Sequence, residues 1–268
     1  SQKIPFGLKT ADKARHLYMV GKSGSGKSKL LELLWYSDIV NGRWFALLDP
    51  HGDLVDNILK YIPENRKKDV VIFDPTDINF PVGFNPLEEV PEEYRQEFTN
   101  SFLEIFKKLF GQAWNARLEH VMRFCVLALL EVGGATVLSI IKLLTDRDYR
   151  QSIIKQLNDQ TVKNFWTNEF AAWSEKFDSE AIMPILNKVA QFVSSPMIRN
   201  IVCQTNNKMN IGDIMDNKKI LLVKLSKGQL WESNANLIGA MMITRIYQVA
   251  MMRAEIPEEK RVPFSVYI

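Results

Sequence analysis

Cysteine is scarce in this chain: Cys125 and Cys203 are the only two in 268 residues, and neither belongs to a C-x-x-C pair. That excludes a disulfide scaffold and a thiolate zinc site, and points to buried thiols in a reducing compartment. Histidine is scarcer than its role in metal centres would require, with His16, His51 and His120 far apart in sequence, so no metal-ligating cluster is indicated. No apolar run approaches the roughly 18 residues that a membrane span needs. The polar stretch from Ser1 to Lys13 lacks the apolar core of a secretory signal, and the expectation is a soluble, cytoplasmic protein. Excess charge is small as well. A net charge of +3 with a pI near 8.7 permits nucleic-acid binding without arguing for it, so any basic surface must be local. What remains is a chain with 46% apolar residues, long enough for one large α/β domain or two smaller ones.

One stretch organises the rest. Gly21-Lys22-Ser23-Gly24-Ser25-Gly26-Lys27-Ser28 fits G-x-x-x-x-G-K-[ST] at every position. Its glycines allow left-handed backbone and close approach, so successive N–H groups can turn toward phosphate oxygens. Lys27 supplies a mobile charge for the β and γ oxygens, and the Ser28 hydroxyl is placed for Mg²⁺. Lys29 completes the set Gly21 to Lys29 expected to hold ATP. The apolar run Leu17-Tyr18-Met19-Val20 predicts a strand before the loop. Leu30, Leu31, Leu33, Leu34 and Ile39 predict a helix after it, whose unpaired first N–H groups make an anion site.

Further apolar runs predict parallel strands at 44–48, 70–73, 220–225 and 264–268, joined by helical crossovers. With 17–20 these make five. A helix follows the second strand, with Asp53 as its N-cap and Pro63 as its stop. From Glu88 to about Pro196 no strand is indicated. Helices are expected over 91–110, 115–132, 136–144, 147–157, 161–177 and 180–193, with breaks at Gly111, Gly133-Gly134 and Pro184, and with the aromatics Trp114, Phe165, Trp166, Phe170, Trp173 and Phe177 forming core. The chain therefore divides into a first part of a nucleotide-binding domain (1–87), an inserted all-α domain (88–196) and a second part (197–268).

Hydrolysis also needs acids at strand ends, one to support Mg²⁺ and one to orient water. Asp49 and Asp53 flank the turn after the second strand, and Asp74 follows the third, all at the carboxyl edge where α/β sheets bind ligands. The alternative for each is structural: Asp49 and Asp74 end strands, and Asp53 caps a helix.

The run from Arg15 to Ser28, the turn Leu48-Asp49-Pro50-His51-Gly52-Asp53-Leu54, Phe84-Asn85-Pro86-Leu87 and the stretch Ile220 to Gly228 together resemble the FtsK/HerA superfamily, and within it the conjugative coupling proteins of type IV secretion. The turn D-P-H-G-D and the all-helical insertion are the specific features. The resemblance implies a RecA-like ATPase motor with a parallel central sheet, using ATP and Mg²⁺. It implies a homo-hexameric ring that contacts the DNA backbone with little sequence preference, with relaxosome or secretion-channel proteins as possible partners. In that family a Walker B Asp-Glu pair follows the strand matching Phe264 to Ile268, and the sequence as given stops there; a continuing chain is expected. Arg199 is the candidate here for the arginine that such rings donate to a neighbour's site. The basic residues Lys60, Arg66, Lys67, Lys68, Lys224 and Lys227 could track phosphates or form a solvated face.

Two other readings stay open. Asp49-Pro50-His51-Gly52 matches D-x-x-G, and Asn207-Lys208-Met209-Asn210 comes near a guanine-reading N-K-x-D, as in a GTPase-like switch, although Asn210 cannot accept both guanine N–H groups as a carboxylate would. A nucleotide-binding assembly module without turnover is the other.

Overall fold

Four parallel strands, β1 (Phe45–Asp49), β2 (Val70–Phe73), β3 (Ile220–Lys224) and β4 (Ser265–Tyr267), form one sheet in the order β2-β3-β1-β4. This computed structural model describes residues 7, 9, 12, 16–88, 90–173, 175–230 and 232–268, and the side chains of 175–181, 227 and 229 are outside that description. The helices are α1 (Lys27–Val40), α2 (Asp53–Ile58), α3 (Arg95–Phe110), α4 (Ala116–Val132), α5 (Val137–Thr145), α6 (Arg147–Gln156), α7 (Gln160–Asn164), α8 (Glu175–Ser194), α9 (Pro196–Val202), α10 (Ile211–Asp216), α11 (Lys227–Leu230) and α12 (Glu232–Met252). The sheet is thus split in sequence: two strands precede the long helical segment and two follow it.

Period-two alternation decides which layer each strand residue joins. Leu47 lies opposite both Leu222 and Tyr267 in register. With Phe45 and Ile220 they face Trp35 and Ile39 of α1 and Val55 and Ile58 of α2. The intervening residues Ala46, Leu48, Leu221, Val223 and Phe73 face the other way, into a core shared with α12 and the helical segment. Both faces are covered, as continuous apolar strands in a parallel sheet require. The second core runs without a break from the sheet into α3–α9.

The chain enters and leaves the helical segment at one place, and Asn85 of the F-N-P-L stretch holds it. The buried Asn85 side chain donates to Ala135 O (2.7 Å) and accepts from Leu87 N (3.0 Å). Its backbone N–H and carbonyl are both taken by the Asn207 side chain from the returning chain. Phe84 N–H donates to Ile201 O (2.9 Å), a second tie across the same junction.

Several expectations change. Leu17 to Val20 forms no strand: Leu17, Tyr18 and Val20 are 51%, 90% and 80% exposed, and the segment makes no ladder among the described residues. His16 just before it sits at φ 63°, a left-handed turn in the chain. An apolar run becomes a strand only where an edge takes its backbone bonds. Among the described residues the strands number four, and 264–268 contributes Ser265–Tyr267 at the sheet edge. The single helix expected over 161–177 is α7 followed by a π turn, Phe165–Glu169, and a 3₁₀ turn, Phe170–Ala172. There Phe165 stacks on Phe124 with centroids 4.2 Å apart and Trp166 is buried. Both are core residues, as expected, while the Phe177 side chain lies outside the described residues. Pro184 is no break: α8 runs through it. The lost helical bond costs about 3 kcal/mol, against which Ile185, Val189, Phe192 and Val193 are buried.

Cys125 is fully buried, its thiol pushed up by desolvation, and Cys203 is half-buried. Among the described residues no single helix is long and apolar enough to cross a membrane; α4 and α5 are so only when taken together, and they are bent by 112°.

Candidate functional site

The phosphate-loop sequence sits at the start of α1 as an exposed turn. Gly24 and Gly26 have φ of 79° and 91°, which only glycine adopts without strain. Ser25 N–H donates to Lys22 O (3.2 Å), closing the loop. At Gly21 a Cβ would stand 2.5 Å from Ser25 Oγ, so a side chain there would have to turn the Ser25 hydroxyl aside. The Lys27 ammonium folds back to donate to Gly21 O (2.7 Å) and Lys22 O (3.0 Å). The helix starts at Lys27 with Gly26 as its N-cap, which has no side chain to offer the first N–H groups, and its first turn carries no acid. Uncapped amides, a positive helix end and a lysine resting on the loop's own carbonyls fit a triphosphate tail.

Chain direction places this loop beside the strand tips. The C-terminal end of α1 meets the start of β1, where Arg43 N–H donates to Asp38 O (2.8 Å). The N-terminal end of α1 therefore returns to the carboxyl edge of the sheet, where Asp49, Asp74 and Lys224 also lie.

The expected acids behave differently there. Asp49 is 1% exposed. Its Oδ1 accepts from His51 N (3.0 Å) and its Oδ2 from Leu54 N (2.7 Å) and Val55 N (3.1 Å). The N-cap of α2 is Gly52, at φ 93° and with no side chain to offer, so Asp49 caps the helix from three residues upstream. Asp53 is not the N-cap; it occupies the first helical position, exposed. Gly52 is needed for a second reason, because a Cβ there would meet Ser226 Oγ at 2.7 Å and Lys224 Cε at 3.1 Å. Asp74 closes β2 by accepting from Thr76 N (2.9 Å) and Thr76 Oγ1 (2.6 Å).

Lys224, in register with Asp49 and named from the sequence as a possible phosphate contact, turns instead to the acids of this edge. Its ammonium donates to Asp56 at 2.7 Å and stands 4.0 Å from Asp74. Its pKa is raised, first by that hydrogen bond and then, against the effect of burial, by the charges of Asp56, Asp74 and Asp49.

Other predicted residues are brought elsewhere. Arg199 donates to Val193 O (3.2 Å) at the end of α8. In the basic run, Arg66 donates to Ile39 O and Arg43 O, and Lys67 pairs with Glu64. Asn207 is held by Asn85, and the Asn210 side chain caps α10 by accepting from Asp213 N (3.1 Å). Both asparagines of the N-K-M-N stretch thus serve local structure.

A parallel sheet covered on both faces, a glycine loop opening the first described helix, and an all-helical segment between β2 and β3 define a RecA-like P-loop NTPase fold. Solved structures of a conjugative coupling protein have this fold. The chain superposes on the bacterial conjugative coupling protein TrwBΔN70 in an unbound form with a TM-score of 0.55 at 16% identity. For the plasmid coupling protein TrwB in complex with the GTP analogue GDPNP the values are 0.56 and 15%, and in complex with the ATP analogue ADPNP they are 0.53 and 16%. Each match covers 92% of this chain and 53% to 55% of the other, so the chain spans about half the length of the proteins it matches. No family model matches the chain, and no curated protein matches it by sequence.

Proposed function

We propose that this chain is the ATP-binding and hydrolysing motor domain of a DNA translocase of the coupling-protein type. One observation carries the reading: Lys27 and the uncapped start of α1 form a phosphate cradle on a fold shared with a coupling protein that binds ADPNP. In this reading the amides of Gly21 to Ser28 and the Lys27 ammonium grip the β and γ phosphates, and Lys29 lines the rim. Bound Mg²⁺ would supply charge neutralisation and a fixed geometry for the leaving oxygens. Ser28 would hold it. Asp49 acts by positioning, holding the turn that presents Asp53 at the strand edge. The working assembly is a homo-hexameric ring in the cytoplasm that contacts DNA through its backbone, with relaxosome or secretion-channel proteins as partners.

Turnover of ATP by the natural full-length protein, with and without double-stranded DNA, tests this. Stimulation by DNA of any sequence, weakening as salt rises, is the expected result. Turnover indifferent to DNA would remove the translocase reading and leave a nucleotide-binding assembly module. Competition of GTP against ATP tests the switch reading, against which the local roles of Asn207 and Asn210 already count.

A further inference from the structure

The edge of the sheet where the strands begin carries more cations than its acids neutralise. Lys68, Lys218 and Arg43 each stand two residues ahead of a strand, and those strands, β2, β3 and β1, are neighbours in that order, with Val70 and Phe45 both opposite Ile220. Adjacent strands lie about 4.8 Å apart, so the strand starts that these cations precede span about 10 Å. The nearby acids already have partners: Glu64 pairs with Lys67, Asp69 with Lys219 at 3.5 Å, Asp38 with Arg43 at 3.2 Å and Asp216 with Arg253 at 2.9 Å. Among the described residues no acid pairs with Lys60, Lys68 or Lys218; Lys60 donates to Asn57 (3.2 Å) and Lys218 stands over the Trp44 ring, 5.0 Å from its centroid. Lys218 sits at φ 60° just past the Asn217 cap of α10, where Lys219 N–H donates to Ile214 O (3.0 Å). Helix ends of this kind usually place glycine there, free of the strain that a side chain brings. A lysine stands there instead.

The same corner exposes apolar side chains. Tyr36 and Val40 are one turn apart on the last part of α1 and Tyr61 lies in the turn after α2; all three are exposed, Val40 to 65%. Tyr36 and Tyr61 pack edge to face with ring centroids 5.4 Å apart, and both pack against the buried Trp35. Arg66 joins this group to the cations by donating to Ile39 O (3.2 Å) and Arg43 O (2.9 Å). Rings packed on one another offer rims and hydroxyls rather than open faces for stacked bases, and a phosphate backbone does nothing for an aliphatic side chain such as Val40. A bilayer surface takes both kinds of group: tyrosines settle at headgroup level, and lysines meet anionic headgroups.

We propose that this corner docks on an anionic membrane surface, with Tyr36, Val40 and Tyr61 at the headgroup boundary and Lys60, Lys68 and Lys218 against the lipid charges. It lies at the end of α1 away from the phosphate loop, and the proposal does not rest on the nucleotide reading. The test is hydrogen exchange of the natural protein on vesicles of phosphatidylcholine alone and of phosphatidylcholine with phosphatidylserine, read at 36–44 and 59–69 with 147–156 as the control segment. Exchange at the first two segments should slow only where phosphatidylserine is present, and the effect should fade as salt rises. For Lys68→Gln and for Lys218→Gly the lipid concentration at half effect should rise about fivefold, the worth of one lysine at such a surface. Lys218→Gly should melt no lower than the parent protein, because glycine adopts the left-handed backbone freely, so a weaker effect in that variant is not a folding defect. Val40→Ser should weaken the effect as well. Equal exchange on the two vesicle types, or variants that respond as the parent does, would overturn the proposal. Slowing at these segments by double-stranded DNA with none by phosphatidylserine would also overturn it and assign the corner to nucleic acid.

Discussion

Asp49 accepts the Leu54 amide at 2.7 Å, so the carboxylate at the tip of β1 caps a helix whose own N-cap residue is a glycine. One buried side chain thereby joins strand, turn and helix beside the phosphate loop. Asp49→Ala would leave three amides without their acceptor, two of them in the first turn of α2. The expected loss is about 2–3 kcal/mol, a cap together with buried unsatisfied donors, read as a lower urea midpoint with an unchanged slope. Asp49→Asn should lose less, because one amide oxygen can still accept. Equal stability of Asp49→Ala and the parent protein would show that the turn is held by something else.

Lys27 predicts the opposite pattern. Among the described residues its ammonium touches only the carbonyls of Gly21 and Lys22, on an exposed loop, so Lys27→Ala should leave the melting temperature nearly unchanged. Affinity for ATP should fall about tenfold or more, since a charge-assisted contact to phosphate is lost. Calorimetric titration beside a thermal melt separates the two effects. An unchanged affinity would reject the cradle as the nucleotide site.

The junction between sheet and helical segment rests on a reciprocal pair, Asn85 and Asn207, and such pairs are non-additive. Asn207→Ala removes both bonds to the Asn85 backbone. Asn85→Ala removes the bonds to Ala135 and Leu87 and loosens the backbone that Asn207 grips. Each change should cost about 1–2 kcal/mol, and the double variant should cost less than the sum by at least about 0.5 kcal/mol. Strict additivity in the cycle would show that the two asparagines act apart.

What was legible in the sequence follows from how local its physics is. The glycine loop, the apolar strands at β1, β2 and β3 and the helices α3 to α6 declare themselves through spacing that neighbouring residues enforce. Asp49 and Asp53 could not be sorted that way. The capping rule reads the nearest polar side chain, whereas Gly52 at φ 93° turns the chain so that a residue three positions earlier reaches the helix start. Leu17 to Val20 has the composition of a strand, but strand formation needs a partner edge, and that is a tertiary fact. The role of F-N-P-L was equally hidden: Asn85 earns its place through Asn207, 122 residues away. Pro184 misled for a related reason, since the burial of Ile185 and Val189 outweighs one missing helical bond.

Alkaline pH should weaken the protein through Tyr267. The phenol of this residue on β4 donates to Asp38 of α1, which is fully buried and also paired with Arg43 at 3.2 Å. Burial first, and then the hydrogen bond and charge of Asp38, push the Tyr267 pKa upward. The folded value lies above the unfolded one, so the stabilisation is complete below the unfolded tyrosine pKa of about 10. Above that pH the unfolded chain gives up the proton while the folded chain keeps it, and stability declines until the folded pKa is passed. Lys224 adds to the decline in the same direction, because Asp56 raises its pKa from the usual lysine range. Urea titrations at about pH 8, 9.5 and 10.5 should therefore show a falling midpoint over the last interval. Tyr267→Phe should be less stable at the lowest of these pH values and should lose less on going to the highest. A Phe variant that declines as steeply as the parent protein would place the alkaline sensitivity elsewhere in the chain.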